Sequence, residues 1–137
     1  MIPDAVRQHI NQKMDAPIKD VSTVSGGSIN RAARIGFSDG LTCFLKWNDT
    51  APPDLFRKEE KGLELLASAD TGLRIPEAYG TGATKEGTGF FIQEYVSEGS
   101  PKPGSAEQFG RALASLHQCR SKRFGLDYDN YIGRLPQ

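Results

Sequence analysis

The chain has 137 residues, of which 17 are basic and 17 acidic, so its formal net charge is zero. This balance argues against a protein that binds nucleic acid or a membrane surface by charge, because both classes need an excess of basic residues. No apolar run approaches the roughly 18 residues of a membrane span, and no apolar signal core follows the N-terminus. Two distant cysteines, Cys43 and Cys119, predict free thiols in a reducing compartment, and hence a cytoplasmic protein without a metal cluster.

The first part of the chain predicts a helix followed by an antiparallel meander of three strands. Three apolar residues spaced by four indicate the helix, namely Val6, Ile10 and Met14, and Pro17 ends it. Two extended segments flank the glycines at 26 and 27, and a turn at 38–40 leads into the third strand. The apolar residues that share one face of that strand are Leu41, Cys43, Leu45 and Trp47.

The rest of the chain predicts two further helices, two strands and a linker. The expected elements are a helix from Asp54 to about Ala69, an extended stretch opening at Arg74, a hairpin over 80–89, a strand over 90–96, a linker over 97–104 and a helix from 105. Ser105 is expected to cap the last helix because Gln108 follows three residues later, as in a capping box. Its apolar stripe consists of Phe109, Ala112, Leu113 and Leu116, and no regular pattern follows from 121 onward.

Gly26 and Gly27 form the first candidate binding loop. Adjacent glycines allow successive backbone N–H groups to converge on an anion, and the hydroxyl groups of Ser25 and Ser28 add donors. The same glycine pair also suits a tight hairpin turn that needs positive φ. Taken alone, the loop therefore leaves an anion site and a turn as alternatives.

Lys46 and Glu59 are the second candidate feature. Lys46 lies on the strand face opposite Leu45, where a solvated lysine is the commoner case. Glu59 points within about 20° of the centre of its helix's apolar face, whereas Glu60 lies about 80° away. The apolar residues of that face are Leu55, Phe56, Leu63, Leu66 and Ala67. A carboxylate in an apolar stripe needs a partner or a water-filled cleft, and a lysine on a neighbouring strand would satisfy it.

These features follow the order found in protein kinases. A glycine loop between two strands precedes a lysine on the third strand and a glutamate on the inward face of a helix. Gln93-Glu94-Tyr95-Val96, followed at once by a linker, resembles the kinase hinge, whose backbone groups bind adenine. The chain thus resembles the small lobe of a protein-kinase-like phosphotransferase. This resemblance implies an α+β fold with a small antiparallel sheet, a flanking helix, a hinge and the first helix beyond it.

Several local strings are similar to the fructosamine (ketosamine) kinases. Residues 25–32 resemble the nucleotide loop of this family, and residues 56–63 resemble its helix with the paired glutamate. The most specific segment is 124–133, with Pro136-Gln137 after it, because related sugar and aminoglycoside kinases do not generally share it. The resemblance covers about 18–137, which is nearly the whole chain.

The resemblance implies a role for each matching position. Lys46 would contact the α- and β-phosphates of ATP and pair with Glu59, while the glycine loop would cover the phosphates. The backbone carbonyl of Glu94 and the N–H of Val96 would hold adenine. The implied phosphate-side residues are Ser25, Gly26, Gly27, Ser28, Ile29, Asn30 and Lys46; the hinge residues are Gln93, Glu94, Tyr95 and Val96; the substrate-side residues are Asn130, Tyr131 and Gly133.

The implied reaction transfers the γ-phosphoryl group of ATP to the 3-hydroxyl of a sugar amine on protein lysines, and the adduct then breaks down. The implied partners are ATP and a glycated protein or sugar amine. In this family the catalytic aspartate lies in a His-Gly-Asp loop of the large lobe, but here His9 precedes Ile10 and His117 precedes Gln118. We therefore expect no catalytic residue in this chain, Mg²⁺ binding only with the large lobe, and no activity from this chain alone.

These implications divide the chain into a kinase-like small lobe at 1–96, a hinge and linker at 97–104, and the start of the large lobe at 105–137, with the rest of that lobe absent. Two alternatives stay open. One is a non-catalytic, pseudokinase-like module that dimerises through the apolar surface around Leu113, Leu116 and Phe124. The other is the small lobe of another small-molecule kinase of the aminoglycoside or choline type.

Overall fold

A five-stranded antiparallel sheet forms the centre of the molecule. The computed structural model describes residues 1–25, 29–133 and 135–137. In chain order the elements are α1 (Asp4–Lys13), β1 (Ile18–Thr23), β2 (Arg31–Phe37), β3 (Thr42–Asn48), α2 (Leu55–Ser68), β4 (Ala78–Ala83), β5 (Gly89–Glu94), α3 (Ser105–Gln118), β6 (Tyr131–Ile132) and β7 (Leu135–Pro136).

The strand order is β1-β2-β3-β5-β4, and every neighbouring pair is antiparallel. The first three strands form the predicted meander, and β5 then pairs with β3, so that β4 becomes an edge strand. The antiparallel α+β fold predicted from the sequence is therefore confirmed. This order places β3, which carries Lys46, in the middle of the sheet.

One face of the sheet packs against α1 and forms the hydrophobic core. Val6 and Ile10 are fully buried there, as their spacing predicted. Cys43, Leu45 and Trp47 of β3 are buried on the same face. Because side chains alternate along a strand, the intervening residues of β3 point to the opposite face of the sheet.

Helix α2 contacts β4 and β5, but its predicted apolar stripe is only partly buried. Phe56 is 3% exposed, whereas Leu66 is 37% exposed. Glu60, predicted to point away from the buried face, has a side chain only 16% exposed and accepts a hydrogen bond from Thr81 at 3.4 Å. The face that meets the sheet is therefore rotated toward Glu60, because Phe56 anchors the helix at its first turn.

The predicted hairpin over 80–89 is wrong in its bounds. Strand β4 begins at Ala78, rather than near Arg74, and runs through Gly80 to Ala83. The turn to β5 covers 84–88, where the Thr84 N–H donates to the Thr88 carbonyl at 3.0 Å. Tertiary pairing with β5 keeps this glycine-rich segment extended although its composition suggests a loop.

The start of α3 also differs from the prediction. The Gly104 carbonyl accepts the first helical hydrogen bond, from the Gln108 N–H at 2.9 Å, so Gly104 rather than Ser105 is the N-cap. Ser105 Oγ instead accepts a hydrogen bond from the Lys102 N–H at 2.9 Å. The tail after α3 (residues 121–137), expected to be irregular, contains the short antiparallel pair β6–β7.

Candidate functional site

The sheet face opposite α1 carries several of the predicted site residues. Lys46 on β3 lies opposite Ala32 on β2 and Phe91 on β5. Phe44, two residues earlier on β3, lies opposite Gln93 of β5. Since alternate residues of a strand share a face, Lys46, Phe44 and Gln93 belong to one surface.

Lys46 forms an ion pair with Glu59, which projects from α2 toward this surface. The structure therefore contains the pair that the position of Glu59 on its helix predicted. The two side chains are 26% and 30% exposed, so the pair is partly shielded from water. Partial shielding strengthens a charge pair relative to one on the open surface, and this pair holds the ammonium group at a defined position beside the sheet.

The predicted phosphate loop is described only at its two ends. Three residues of the predicted loop lie outside the described part of the chain, namely Gly26, Gly27 and Ser28. Before them, the Val24 N–H donates to the Ala32 carbonyl at 3.1 Å, so that the sheet pairing continues to the base of the loop. Ser25, Ile29 and Asn30 therefore stand at the open end of the β1–β2 pair.

Asn48 fixes the far end of this loop, and sequence reasoning did not single it out. Its Nδ2 donates to the Ile29 carbonyl oxygen at 3.1 Å and to Asn30 Oδ1 at 3.0 Å. Its Oδ1 accepts the Thr50 N–H at 2.8 Å, which holds the amide in this orientation. A signal for Asn48 was present, because it follows Lys46 by two residues and so shares its strand face.

The predicted hinge residues Glu94 and Tyr95 are held in extended conformation by backbone hydrogen bonds. The Glu94 N–H donates to the Glu77 carbonyl at 2.7 Å, and the Tyr95 N–H donates to the Thr42 carbonyl at 3.4 Å. The Glu94 carboxylate pairs with Arg74. The hydrogen bond from Arg74, followed by that from the Glu77 backbone, lowers the pKa of Glu94. These neighbours, which no motif indicated, position the segment.

Two other hinge residues carry polar groups without a partner. Gln93 Oε1 is buried, and no described residue donates a hydrogen bond to it. Over the described ranges, the Val96 N–H likewise has no acceptor, and Val96 is 41% exposed. Gln93 Oε1 is thus an unpaired buried acceptor on the face that carries Lys46, an exception because buried polar groups in folded proteins are normally paired.

A groove of about 520 Å³ lies between α2 and the tail. The three predicted substrate-side residues all line it, namely Asn130, Tyr131 and Gly133. Ile29, Asn30 and Glu59 line the same groove. Glu59 thus lies between the sheet face with Lys46 and the groove, whereas residues 93–96 are not among the described residues that line this space.

Tyr131 joins the tail to the start of α2. Its hydroxyl donates to Asp54 Oδ1 at 2.7 Å, and Lys58 Nζ lies 2.8 Å from the other oxygen of that carboxylate. Hydrogen bonds from Lys58 and then from Tyr131 lower the pKa of Asp54, and the bond to Asp54 raises the pKa of both Lys58 and Tyr131. Sequence reasoning gave Asp54 only the role of starting a helix.

Both cysteines are free, as predicted: Cys43 is buried and Cys119 is exposed. Across residues 1–25, 29–133 and 135–137, no three His, Cys, Asp or Glu side chains cluster in a way that could hold a metal ion. No helix in that same part of the chain has both the length and the apolar character needed to cross a membrane.

A protein-family model described as fructosamine kinase matches residues 2–137. Over 140 residues, the chain is 34% identical to the chloroplastic protein-ribulosamine 3-kinase of Arabidopsis thaliana, covering 100% of this chain and 42% of that protein. Over 136 residues, it is 33% identical to a probable ketoamine kinase of Synechocystis sp., covering 96% of this chain and 45% of that protein.

Solved structures show the same likeness. Crystal structures of candidate fructosamine-3-kinases from Haemophilus somnus 129PT and Thermobifida fusca YX-ER1 match with TM-scores of 0.82 and 0.77, at 27% and 30% sequence identity. Each match covers 98% of this chain, and 45% and 46% of the respective structures. The predicted kinase-like α+β fold is therefore confirmed. The chain spans about half the length of the relatives it matches.

Proposed function

Because the chain belongs to the fructosamine kinase family, we propose that it forms the ATP-binding part of a kinase that phosphorylates ketoamine adducts on proteins. The ion pair between Lys46 and Glu59 is the observation that carries this proposal. In phosphotransferases of the protein-kinase type, a strand lysine contacts the phosphates only when a helix glutamate holds it in place. The loop residues Ile29 and Asn30 line the same groove as Glu59, and together with Ser25 they would cover the phosphates.

The adenine ring would bind at the hinge. The Val96 N–H and the Glu94 carbonyl are the proposed backbone partners, with Gln93 at the back of the pocket. The rings of Phe44 and Tyr95, whose centroids lie 6.5 Å apart, provide an aromatic wall nearby.

The sugar amine would approach from the groove between α2 and the tail. Asn130, Tyr131 and Gly133 line this groove beside Glu59, so they are the proposed substrate-side residues. Mg²⁺ and the catalytic aspartate are proposed to act from the large lobe, since no His-Gly-Asp sequence occurs in this chain. Residues 1–137 alone would then bind ATP weakly without transferring its phosphoryl group.

The first test is ATP binding by the full-length protein that carries this sequence. Lys46→Met should weaken ATP binding by about 10- to 100-fold, as expected when a charged hydrogen bond to the ligand is lost. Lys19→Met on β1 is the matched control, because Lys19 is exposed and lies outside the site. Isothermal titration calorimetry measures both affinities. Equal affinity for the wild type and the Lys46 variant would contradict the proposal.

The second arm of this test identifies the acceptor. The full-length protein should transfer phosphate from ATP to the 3-hydroxyl of a ketoamine-modified lysine peptide, and Lys46→Met should abolish most of this activity. The same assay with an aminoglycoside and with choline tests the other small-molecule kinases. Turnover of either compound in preference to the ketoamine would reject the proposed substrate class.

The exposed apolar surface favours a second candidate function, a non-catalytic module that dimerises. No residue of α3 is buried, and Phe109 and Phe124 are 59% and 107% exposed. Apolar surfaces of this kind bind partners. Absence of ATP binding, together with stable dimers of the full-length protein, would favour this function over the kinase.

We also place the protein in the cytoplasm, where free thiols such as Cys43 and Cys119 persist. The Arabidopsis thaliana relative is chloroplastic, so a protein similar to this chain is found in an organelle. Imaging of a fluorescent fusion to the full-length protein in its native host tests this placement. Accumulation in an organelle or at a membrane would contradict it.

A further inference from the structure

The tail holds α2 through two aromatic residues. Tyr131 donates its hydroxyl hydrogen to Asp54, and its ring centroid lies 4.6 Å from Lys58 Nζ. Tyr128 makes the second contact, with its ring centroid 5.0 Å from Lys61 Nζ. Both contacts are of the cation–π type, which stabilises a lysine placed over an aromatic face.

These contacts lie on both sides of Glu59, the residue that pairs with Lys46. Lys58 directly precedes Glu59 in the helix, and Lys61 follows it by two residues. On the other side of the helix, Phe56 is the only buried α2 residue within the described chain. Because packing against the sheet is confined to so little surface, contacts with the tail contribute to the rotation of α2 about its axis.

The direction of Glu59 depends on that rotation. Successive residues of a helix are separated by about 100°, so a modest turn of α2 would move the Glu59 carboxylate away from Lys46 and toward the groove. The bond between Asp54 and Tyr131 lies five residues before Glu59, at the start of the helix, where it limits such a movement. Hydrogen bonds from Lys58 and Tyr131 keep the pKa of Asp54 low, so the carboxylate accepts both bonds at neutral pH.

We propose that Tyr131 is a positioning residue, which acts through Asp54 and Lys58 to hold α2 in the rotation that pairs Glu59 with Lys46. This inference rests on the proposed ATP site and deepens it. The tail, which lines the proposed substrate groove, then also helps to position the Lys46–Glu59 pair of the proposed ATP site. Substrate contacts at the tail would then influence the position of Lys46.

The test measures the state of Lys46 directly. Acylation by a limiting amine reagent needs an accessible amine, and the ion pair with the Glu59 carboxylate shields the Lys46 amine from the reagent. Mass spectrometry of the full-length protein reports the labelling rate of Lys46 relative to the exposed Lys85. Tyr131→Phe removes only the hydroxyl and leaves the ring over Lys58. Asp54→Asn replaces the charged carboxylate oxygen that accepts the Tyr131 hydrogen bond with a neutral amide oxygen.

Each of these variants should raise the relative labelling rate of Lys46 by about 3- to 10-fold, the range expected for one lost hydrogen bond. The effects should be less than additive in the double variant, because Tyr131→Phe removes the donor of the bond that Asp54→Asn weakens by replacing its charged acceptor with a neutral amide oxygen. Tyr128→Phe removes a hydroxyl that has no hydrogen-bond partner among the described residues. Glu107→Gln breaks a similar ion pair with Arg111 on α3. Both controls should leave Lys46 labelling unchanged.

Unchanged labelling in Tyr131→Phe or Asp54→Asn, fully additive effects, or an equal rise in the two controls would overturn the proposal. ATP affinity, measured on the same samples, separates this result from the proposed function. If the wild type binds no ATP, the kinase function fails, while the labelling rates still decide whether Tyr131 positions Glu59. If ATP binds and the proposal holds, Tyr131→Phe and Asp54→Asn also weaken ATP binding.

Discussion

Glu59 and Glu60 are adjacent and chemically identical, yet their contacts differ. Glu59 pairs with Lys46 at the edge of the groove, whereas Glu60 accepts a hydrogen bond from Thr81 and lies 4.0 Å from Arg57. The difference arises because adjacent residues of a helix point about 100° apart. At the residue scale, position on the helix rather than side-chain chemistry thus assigns these two carboxylates their partners.

This difference predicts distinct effects of two matched substitutions. Glu59→Gln should weaken ATP binding by about 10-fold, because the neutral amide no longer holds the Lys46 ammonium group in place. Glu60→Gln keeps an oxygen that accepts the Thr81 hydrogen bond, so ATP affinity should stay at the wild-type value. Calorimetric titration of both full-length variants compares them. Equal losses of affinity would show that the Lys46–Glu59 pair has no special role in nucleotide binding.

Strand β4 shows how one element depends on another. A side chain on Gly82 would overlap the ring of Phe90, the residue opposite it on β5. Phe90 is buried and contacts the ring of His9 on α1, with the ring centroids 4.9 Å apart. Gly82 therefore allows the Phe90 ring of β5 to lie over the backbone of β4. This packing joins the edge strand to the core.

At the element scale we predict opposite effects for two glycine substitutions. Gly82→Ala should destabilise the fold by about 1–3 kcal/mol, because the new methyl group forces the Phe90 ring out of its place. Gly110→Ala lies inside α3, where a Cβ meets no atom within 4 Å. It should stabilise the helix by about 0.5–1 kcal/mol. Urea denaturation of both variants measures the changes, and destabilisation by Gly110→Ala or none by Gly82→Ala would contradict this packing.

At the scale of the whole molecule, the main buried cluster lies on one side of the sheet and comes from Ile2, α1 and the sheet face that they cover. Ala32, Phe56 and Phe91 are buried on the other side, while α3 has no buried residue. Exposed apolar side chains continue from α3 into the tail, where Phe124 is 107% and Leu126 is 45% exposed. This apolar surface of α3 and the tail is not covered by any other part of the chain that the structure describes.

We predict that a polypeptide of residues 1–137, purified alone, self-associates through this surface. Phe109→Glu should lower the association constant by at least about 10-fold, since it places a charge where apolar contact is needed. Val21→Glu, at an exposed apolar position on the edge strand β1, should leave association unchanged. Sedimentation equilibrium over a range of concentrations measures both. A monomer at every concentration, or equal effects of both substitutions, would contradict this prediction.

The local periodicity of the sequence was sufficient to predict the buried face of β3 and the partner of Glu59. The alternation of Cys43, Leu45 and Trp47 predicted which face of β3 is buried, and Lys46 follows from it on the other face. The position of Glu59 in the apolar stripe of its helix predicted a lysine partner. Both predictions rest on the periodicity of side chains along a strand or a helix, which repeats within a few residues. The amino-acid sequence also carried the family resemblance, which the match over residues 2–137 supports.

The pairing of distant segments was decided only by the tertiary structure. Asp54 and Tyr131 are 77 positions apart, and no periodic pattern relates them. Glycine-rich β4 became a strand only because β5 lies beside it, and the rotation of α2 toward Glu60 follows from the burial of Phe56. Hydrophobic spacing specifies which face of an element is apolar, but the path of the chain determines which element covers that face. The sequence by itself therefore determined the kinase-like order of elements and the Lys46–Glu59 pair, while the folded chain determined how the tail supports that pair.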